Sequence, residues 1–99
     1  MKRAKTRQAA RVCAICGRNG MGDPLEKHHI FGGAYRAKSE RYGLTVYLCA
    51  MRCHREGEGA VHRNIDVNRA LKRRGQEKAM AEQGWTEERF IREFGKSYL

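Results

Sequence analysis

The most regular alternation of hydrophobic and polar positions lies in the last third of the chain. Val67 and Leu71 have the spacing of one helix face, and Asn64 or Asp66 is a suitable N-cap before them. We expect Gly84 to end this helix, because glycine is strongly favoured just after a helix C-terminus. The pattern therefore predicts one helix between these two signals.

A shorter helix is predicted at the C-terminal end of the chain. Thr86 is a suitable N-cap for it, and Gly95 marks its end. Trp85 precedes the cap at the position from which a hydrophobic staple packs onto the helix. The apolar stripe of this helix consists of Phe90, Ile91 and Phe94. We interpret the aromatic residues of this region as core residues and not as a base-stacking surface.

Two short stretches before the helical region have the composition of β-strands. Residues 25–31 follow the turn signal at Pro24 and stop at Gly32-Gly33. Residues 44–48 are rich in branched and aromatic side chains, which are favoured in strands. Residues 34–41 between them are basic and polar, as in a loop or a short helix.

Less regular structure is expected after the second strand. A short helix is predicted from Cys53, and Gly57 and Gly59 should end it soon afterwards.

The predicted fold class is therefore α+β. The chain divides into a basic flexible leader at residues 1–11, a core at residues 12–63, and a helical extension packing on the core at residues 64–99.

The composition shows that the hydrophobic core is thin. Leu, Ile, Val and Phe make up 16 of the 99 residues, below the roughly one-fifth share under which a highly charged chain tends to be disordered. Such a domain normally needs a disulfide, a metal or a partner to fold.

No stretch approaches the roughly 20 apolar residues of a membrane span, and no signal-peptide core follows the basic N-terminus. We therefore expect a cytoplasmic protein that does not contact a membrane.

Four cysteines can bind a metal, which would compensate for the thin hydrophobic core. Two residues separate Cys13 from Cys16, and three separate Cys49 from Cys53, which are spacings typical of zinc ligands. Disulfides are disfavoured in the reducing cytoplasm, so we interpret the four thiolates as a closed, structural Zn²⁺ site. Four ordinary reduced cysteines and an iron–sulfur cluster are the alternatives.

The four histidines lie in the same part of the chain as the cysteines. His28 and His29 are adjacent in the first predicted strand, so their side chains project to opposite faces and can perform different tasks. His54 directly follows the last cysteine, and His62 lies eight residues further on. Two histidines leave a metal ion with open positions for water and phosphate oxygens, as a catalytic site requires.

The order of these motifs resembles the HNH (ββα-metal) endonucleases, in the subgroup that carries a four-cysteine zinc site. The matching residues are Cys13, Cys16, His28, His29, Ile30, Leu48, Cys49, Cys53 and His54. The resemblance covers roughly residues 12–63, and the whole chain looks like the small HNH proteins of bacteriophages and prophages. It implies a zinc-stabilised ββα-metal (treble-clef-like) domain with added C-terminal helices.

The resemblance also implies a role for each histidine. His28 and His54 bind a catalytic divalent ion (Mg²⁺, Mn²⁺, Ni²⁺ or Zn²⁺), and His29 is the general base. Members of the family hydrolyse phosphodiesters and leave 5′-phosphate and 3′-hydroxyl ends. For His62 we take a third metal-ligand role as the working hypothesis, with phosphate contact and helix capping as alternatives.

The chain departs from the family pattern in two places. The family usually has an asparagine on the second strand, which orients the loop carrying the base, but residues 42–47 contain none. Gly57-Glu58-Gly59 interrupts the helix that carries a third metal-binding histidine in colicin-type members. We expect another residue to orient the base, or the activity to be reduced.

The excess of basic residues indicates a polyanionic partner. The chain has 21 Lys and Arg against 11 Asp and Glu, a formal net charge of +10. The predicted nucleic-acid contacts are Arg36, Lys38, Arg41, Arg52, Arg55 and Arg63. Arg36, Lys38 and Arg41 lie between the two predicted strands, and the other three lie near the histidines in the sequence. The alternative for each of the six is a solvated side chain on the surface without a ligand.

The combined pattern predicts a metal-dependent DNA endonuclease in the cytoplasm of a bacterial host cell. The alternative is a zinc-stabilised basic module of phage origin that holds nucleic acid without cutting it. Composition fits both, whereas a module that only binds has no reason to keep the histidines beside the cysteines. A third class, an interaction domain among phage packaging or other phage proteins, fits the one-sided charge less well.

Overall fold

Two strands and three α-helices make up the fold in the computed structural model, which describes residues 11–99. They are β1 (Leu25–His29), α1 (Arg36–Arg41), β2 (Thr45–Cys49), α2 (Ile65–Gln83) and α3 (Glu87–Phe94). A 3₁₀ turn at Gly33–Tyr35 precedes α1, and a wide π-helical turn at Ala50–Arg55 follows β2. The predicted α+β class is confirmed. The leader predicted at residues 1–11 lies, apart from Arg11, outside the described residues.

The two strands form an antiparallel pair. Leu25 lies opposite Cys49, and His29 lies opposite Thr45. The carbonyl of Pro24, just before β1, accepts a hydrogen bond from the Ala50 N–H at 2.8 Å and closes one end of the sheet. Both predicted strands are confirmed, with bounds that differ by one or two residues. The paired register ends at His29 and Thr45, although the Ile30 N–H still donates to the Leu44 carbonyl at 3.0 Å. None of the described helices is long and apolar enough to cross a membrane.

A buried serine attaches α1 to the end of β1. Ser39 is fully buried, and its hydroxyl donates to the Phe31 carbonyl at 2.7 Å and accepts from the Phe31 N–H at 3.1 Å. The ammonium of Lys38 adds a link to α3, since it donates to the Glu93 carbonyl at 2.7 Å and lies 3.3 Å from its carboxylate. The stretch predicted as a loop or a short helix is therefore a helix, held closely against the sheet.

The helix predicted from Cys53 is wrong in its position, because the regular turn begins three residues earlier. Asp23 explains the early start: its carboxylate oxygens accept the N–H groups of Met51 and Arg52, each at 2.9 Å. These hydrogen bonds lower the pKa of Asp23. Gly57 closes the turn, where no side chain would fit, because a Cβ at this residue would lie 2.1 Å from the Arg52 carbonyl oxygen.

The capping residues of α2 and α3 confirm the predicted helix starts. Asn64 Oδ1 accepts two backbone N–H groups of the first turn of α2, at 3.0 and 3.1 Å. Thr86 Oγ1 accepts one in α3, at 3.1 Å. A cap of this kind contributes about 1 kcal/mol to helix stability. Both helices also end at the predicted glycines, Gly84 and Gly95.

Aromatic side chains join α3 to the sheet. The ring of Phe31, just beyond β1, lies 5.5 Å from that of Phe90 and 4.7 Å from that of Phe94, and all three are buried. Trp85 packs against the same core, with its ring 4.9 Å from that of Tyr42. The interpretation of these aromatic residues as core is therefore confirmed.

Helix α2 approaches the end of β1 closely because Gly75 has no side chain. A Cβ at this residue would lie 2.9 Å from Ile30 Cγ2 and 3.1 Å from Phe31 Cε2. Leu71, one turn earlier, is buried in the same core. The close approach brings the first turns of α2 beside the histidines of β1.

We expect Phe94→Ala to lower the free energy of unfolding by about 3–5 kcal/mol, because it empties a buried aromatic site. The matched control is Ile91→Ala on the same helix. Ile91 was predicted in the apolar stripe but is 39% exposed, so its truncation should cost less than about 1 kcal/mol. Urea unfolding followed by circular dichroism measures both values. Equal losses would contradict the packing of α3 on the sheet.

Candidate metal centres

Four cysteine sulfurs come together where the N-terminal segment meets the wide turn. Their Sγ atoms all lie within 4.8 Å of one another, and those of Cys16 and Cys49 are 3.5 Å apart. Cys13 and Cys16 belong to the loop before β1, whereas Cys49 ends β2 and Cys53 lies in the wide turn. All but Cys16 are buried. The cluster could hold a metal ion such as zinc.

The surroundings of these sulfurs favour negative charge on Cys13 and Cys16 and disfavour it on Cys49. The N–H groups of Ile15 and Cys16 point at Cys13 Sγ, at 3.4 and 3.5 Å. A hydrogen bond from the Arg18 backbone, helped by the neighbouring thiols, lowers the pKa of Cys16 to about 6. Burial, together with the neighbouring Cys16 and Cys13, raises the pKa of Cys49 to about 11. Because crowded thiolates repel one another, a divalent cation bound among them would allow all four to ionise.

Three histidine rings form a second cluster. His28 projects from β1, His54 from the wide turn, and His62 from the segment before α2. Each offers a ring nitrogen, and these nitrogens lie within 4.8 Å of one another. The Nε2 atoms of His54 and His62 are 3.1 Å apart. The fold therefore brings together the residues predicted to ligate the second metal, in a group that could hold an ion.

The segment after the wide turn folds back and returns His62 to the cluster. The Val61 N–H donates to the Cys53 carbonyl at 2.8 Å, and the His62 N–H donates to the His54 carbonyl at 3.2 Å. Gly57 and Gly59, which were expected to interrupt a helix here, therefore do not keep His62 from lying beside the other two histidines.

His28 is the most enclosed member of the histidine cluster. The residue is 7% exposed, and no group of the described chain forms a hydrogen bond with its Nε2 atom. Burial, reinforced by the nearby His54 and His62, lowers the pKa of His28 to about 4. A buried polar atom without a partner costs about 1–3 kcal/mol. A metal ion within the cluster would satisfy this nitrogen, so the donor set fits a metal site.

Glu26 orients His54, a role that was not predicted. Its carboxylate accepts a hydrogen bond from His54 Nδ1 at 2.8 Å, which assigns the proton to Nδ1 and leaves the Nε2 lone pair for the cluster. Arg55 donates to the second carboxylate oxygen at 2.6 Å. The bond to His54 and the charge of Arg55 lower the pKa of Glu26. The signal available in the sequence was strand alternation, which puts Glu26 on the same face of β1 as His28.

His29 pairs with Glu40 of α1. Its Nε2 lies 2.5 Å from Glu40 Oε2, and Lys27 holds Oε1 at 3.0 Å. Lys27 and His29 together lower the pKa of Glu40, so the carboxylate accepts the Nε2 proton and Nδ1 remains an acceptor. Nothing in the sequence indicated Glu40, because it reaches His29 only through the placement of α1.

A cleft of about 460 Å³ opens over the histidines. It is lined by all four histidines, and its other polar side chains are Lys27, Arg36, Asn68 and Lys72. No acidic residue of the described chain lines it. The cleft can therefore accept an anion next to a metal ion.

The six predicted nucleic-acid contacts are distributed unevenly around this cleft. Arg36 lines it and the other five do not. Lys38 contacts Glu93, Arg41 lies over the Tyr42 ring, Arg55 pairs with Glu26, Arg63 bonds to the Glu56 carbonyl, and Arg52 is exposed. Asn68 and Lys72 of α2 also line the cleft but were not among these six, because helical spacing alone does not show which helix face meets the cleft.

We expect nuclear magnetic resonance to show that His28 stays neutral well below the ordinary histidine range. With no metal in the histidine cluster, its ring signals should titrate near pH 4, against 6.5 for an ordinary histidine such as that of the urea-unfolded chain. Because the unfolded chain takes up this proton first, the folded state loses the corresponding stability as pH falls from 6.5 toward 4. A folded-state midpoint near 6.5 would contradict the enclosure of the ring.

Comparison with known proteins adds no assignment to these sites. No family model matches the chain, and neither a curated protein nor a solved structure matches it. The two clusters themselves therefore indicate the chemistry. Four sulfurs can close one metal site, while three imidazoles lie beside an open and basic cleft.

Proposed function

We propose that this protein is a metal-dependent DNA endonuclease of the HNH type, with a zinc-stabilised ββα-metal (treble-clef-like) core. The observation that carries the proposal is the meeting of three imidazoles in a basic cleft, with a fourth, on His29, beside them. Such a ligand set leaves open positions for a reacting phosphate, and the surrounding cations suit a polyanion. The order of the motifs along the chain, which resembles that family, supports the same conclusion.

The cysteine cluster holds a structural Zn²⁺ in this proposal. Four thiolates complete a tetrahedral site and leave no position for a substrate or a reactive water. The thin hydrophobic core supports the assignment, because the binding energy of such a metal contributes directly to folding.

His28, His54 and His62 hold the catalytic ion in this proposal. The Nε2 atom of His28 has no competing partner in the described chain, and Glu26 keeps Nε2 of His54 available to the cluster. When bound, a divalent ion would hold the scissile phosphate and offset the negative charge that develops on the leaving oxygen. The candidate ions are Mg²⁺, Mn²⁺, Ni²⁺ and Zn²⁺.

His29 is the general base. Glu40 accepts its Nε2 proton, so Nδ1 can take a proton from the attacking water. The water oxygen bonds to phosphorus as the bond to the 3′-oxygen breaks. That oxygen takes a proton from solvent water, which completes a 3′-hydroxyl and a 5′-phosphate. In the family an asparagine orients the loop that carries the base; here Glu40 orients the ring itself.

One observation favours a second candidate, a zinc-stabilised basic module that holds nucleic acid without cutting it. Residues 42–47 lack the asparagine of the family, and the Glu40 side chain that would replace its effect is 49% exposed. The net charge of +10 suits both candidates, since it requires only a polyanionic partner. A cleavage assay separates them.

We expect the purified protein to contain about one tightly bound zinc per chain. Chelation should unfold the domain, because the thin core depends on the metal, and circular dichroism with elemental analysis measures both quantities. Cys16→Ser should weaken zinc retention, because it removes one of the four thiolates. A metal-free chain with unchanged dichroism and melting would show that the cysteines have no structural role.

We expect His29→Ala and His54→Ala to lose cleavage for different reasons. His29→Ala should bind DNA and metal normally but cut about 10²–10⁴-fold more slowly, the usual contribution of a positioned base. Extra Mn²⁺ should not rescue it, since the missing group moves a proton. His54→Ala, and likewise His28→Ala, should be partly rescued by extra Mn²⁺, because each lacks a metal ligand. Single-turnover cleavage of plasmid DNA measures these rates.

Zinc content is the control for this experiment, since no histidine belongs to the four-sulfur cluster and all three variants should retain the metal. If the parent protein cuts neither single- nor double-stranded DNA with any of the four ions, the binding module replaces the enzyme. If His29→Ala cuts as fast as the parent, another group is the base.

A further inference from the structure

Helix α2 forms one wall of the histidine cleft, and the proposed reaction does not use it. Asn68 and Lys72 of this helix line the cleft. They are four residues apart and therefore neighbours on one helix face. The same face carries Leu71 and Gly75, which are buried against the core. The two polar side chains thus lie on the inner side of α2 and not on its solvent side.

The chain holds this wall in place at two points. Asn64 caps α2 directly after the segment that carries His62. Three turns further on, Gly75 permits the contact of the helix with Ile30, at the end of the strand that carries His28. Between these two points the first turns of α2 are kept beside the histidines.

Lys72 brings an uncompensated charge to this wall. No carboxylate of the described residues forms an ion pair with it, whereas the neighbouring Arg73 pairs with Glu77. Its ammonium lies 5.4 Å from the centre of the Tyr98 ring, which supports the side chain without neutralising it.

We propose that Asn68 and Lys72 of α2, with Arg36 of α1, bind a backbone phosphate that flanks the phosphate held at the histidine cluster. The two cations supply charge, and the asparagine amide supplies a directed N–H donor. The inference rests on the proposed function for the class of its ligand, a nucleic-acid strand. It adds a second phosphate subsite, so the cleft recognises a polynucleotide and not a single nucleotide.

Binding without cleavage tests this subsite. Fluorescence anisotropy measures the affinity of the zinc-loaded full chain for a short labelled DNA duplex, without added divalent ion, over a series of salt concentrations. Lys72→Met, which keeps the aliphatic part of the side chain, should weaken binding about three- to tenfold and reduce the salt slope by about one. Lys72→Gln should do the same. Asn68→Ala should weaken binding about two- to tenfold, with little change in slope, because it removes a neutral donor.

The matched control is Arg73→Met, the adjacent residue on the same helix, which removes the same charge outside the cleft. It should change the affinity less than about twofold. If the Lys72 and Arg73 variants weaken binding equally, the subsite is overturned and α2 contributes only general charge, while the proposed function stands. If the parent chain binds neither this duplex nor a single strand, the proposed function fails together with the subsite.

Discussion

The wide turn at Ala50–Arg55 is the constraint on which both clusters depend. Asp23 caps it and Gly57 closes it, so Cys53 meets the other sulfurs while the next residue, His54, reaches the histidine cluster. The backbone bonds that return the following segment to this turn also bring back the third histidine. Because neighbouring residues serve two different clusters, any movement of the turn changes both.

Two acidic residues contact histidines, each through a different ring nitrogen. Glu26 accepts from His54 Nδ1, and Glu40 accepts from His29 Nε2. Each carboxylate sets the tautomer of its histidine, and neither lines the cleft. Each acid therefore fixes which nitrogen of its histidine is left as an acceptor, while the charged side chains within the cleft remain basic.

Local patterns in the sequence predicted much of this arrangement. The caps at Asn64 and Thr86 and the paired cysteines each depend on neighbours in the chain, and the structure shows them as expected. The contacts that prediction missed are long-range. The wide turn starts early because Asp23 reaches it from before β1, and Glu40 reaches His29 through α1. The resemblance supplied the chemistry, which stays a prediction until cleavage is measured.

The thin core explains why the C-terminal helices matter for the site as well as for stability. Ile30 and Phe31 follow the histidine pair of β1 directly, and what buries them is largely α2 and α3, through Gly75 and the phenylalanines of α3. Without these helices the end of β1 would expose its apolar residues, and a two-stranded sheet has little stability of its own in water. The packing that protects a small core also fixes the direction of His28 and His29. In this chain the geometry of the cleft and the stability of the fold therefore depend on the same contacts.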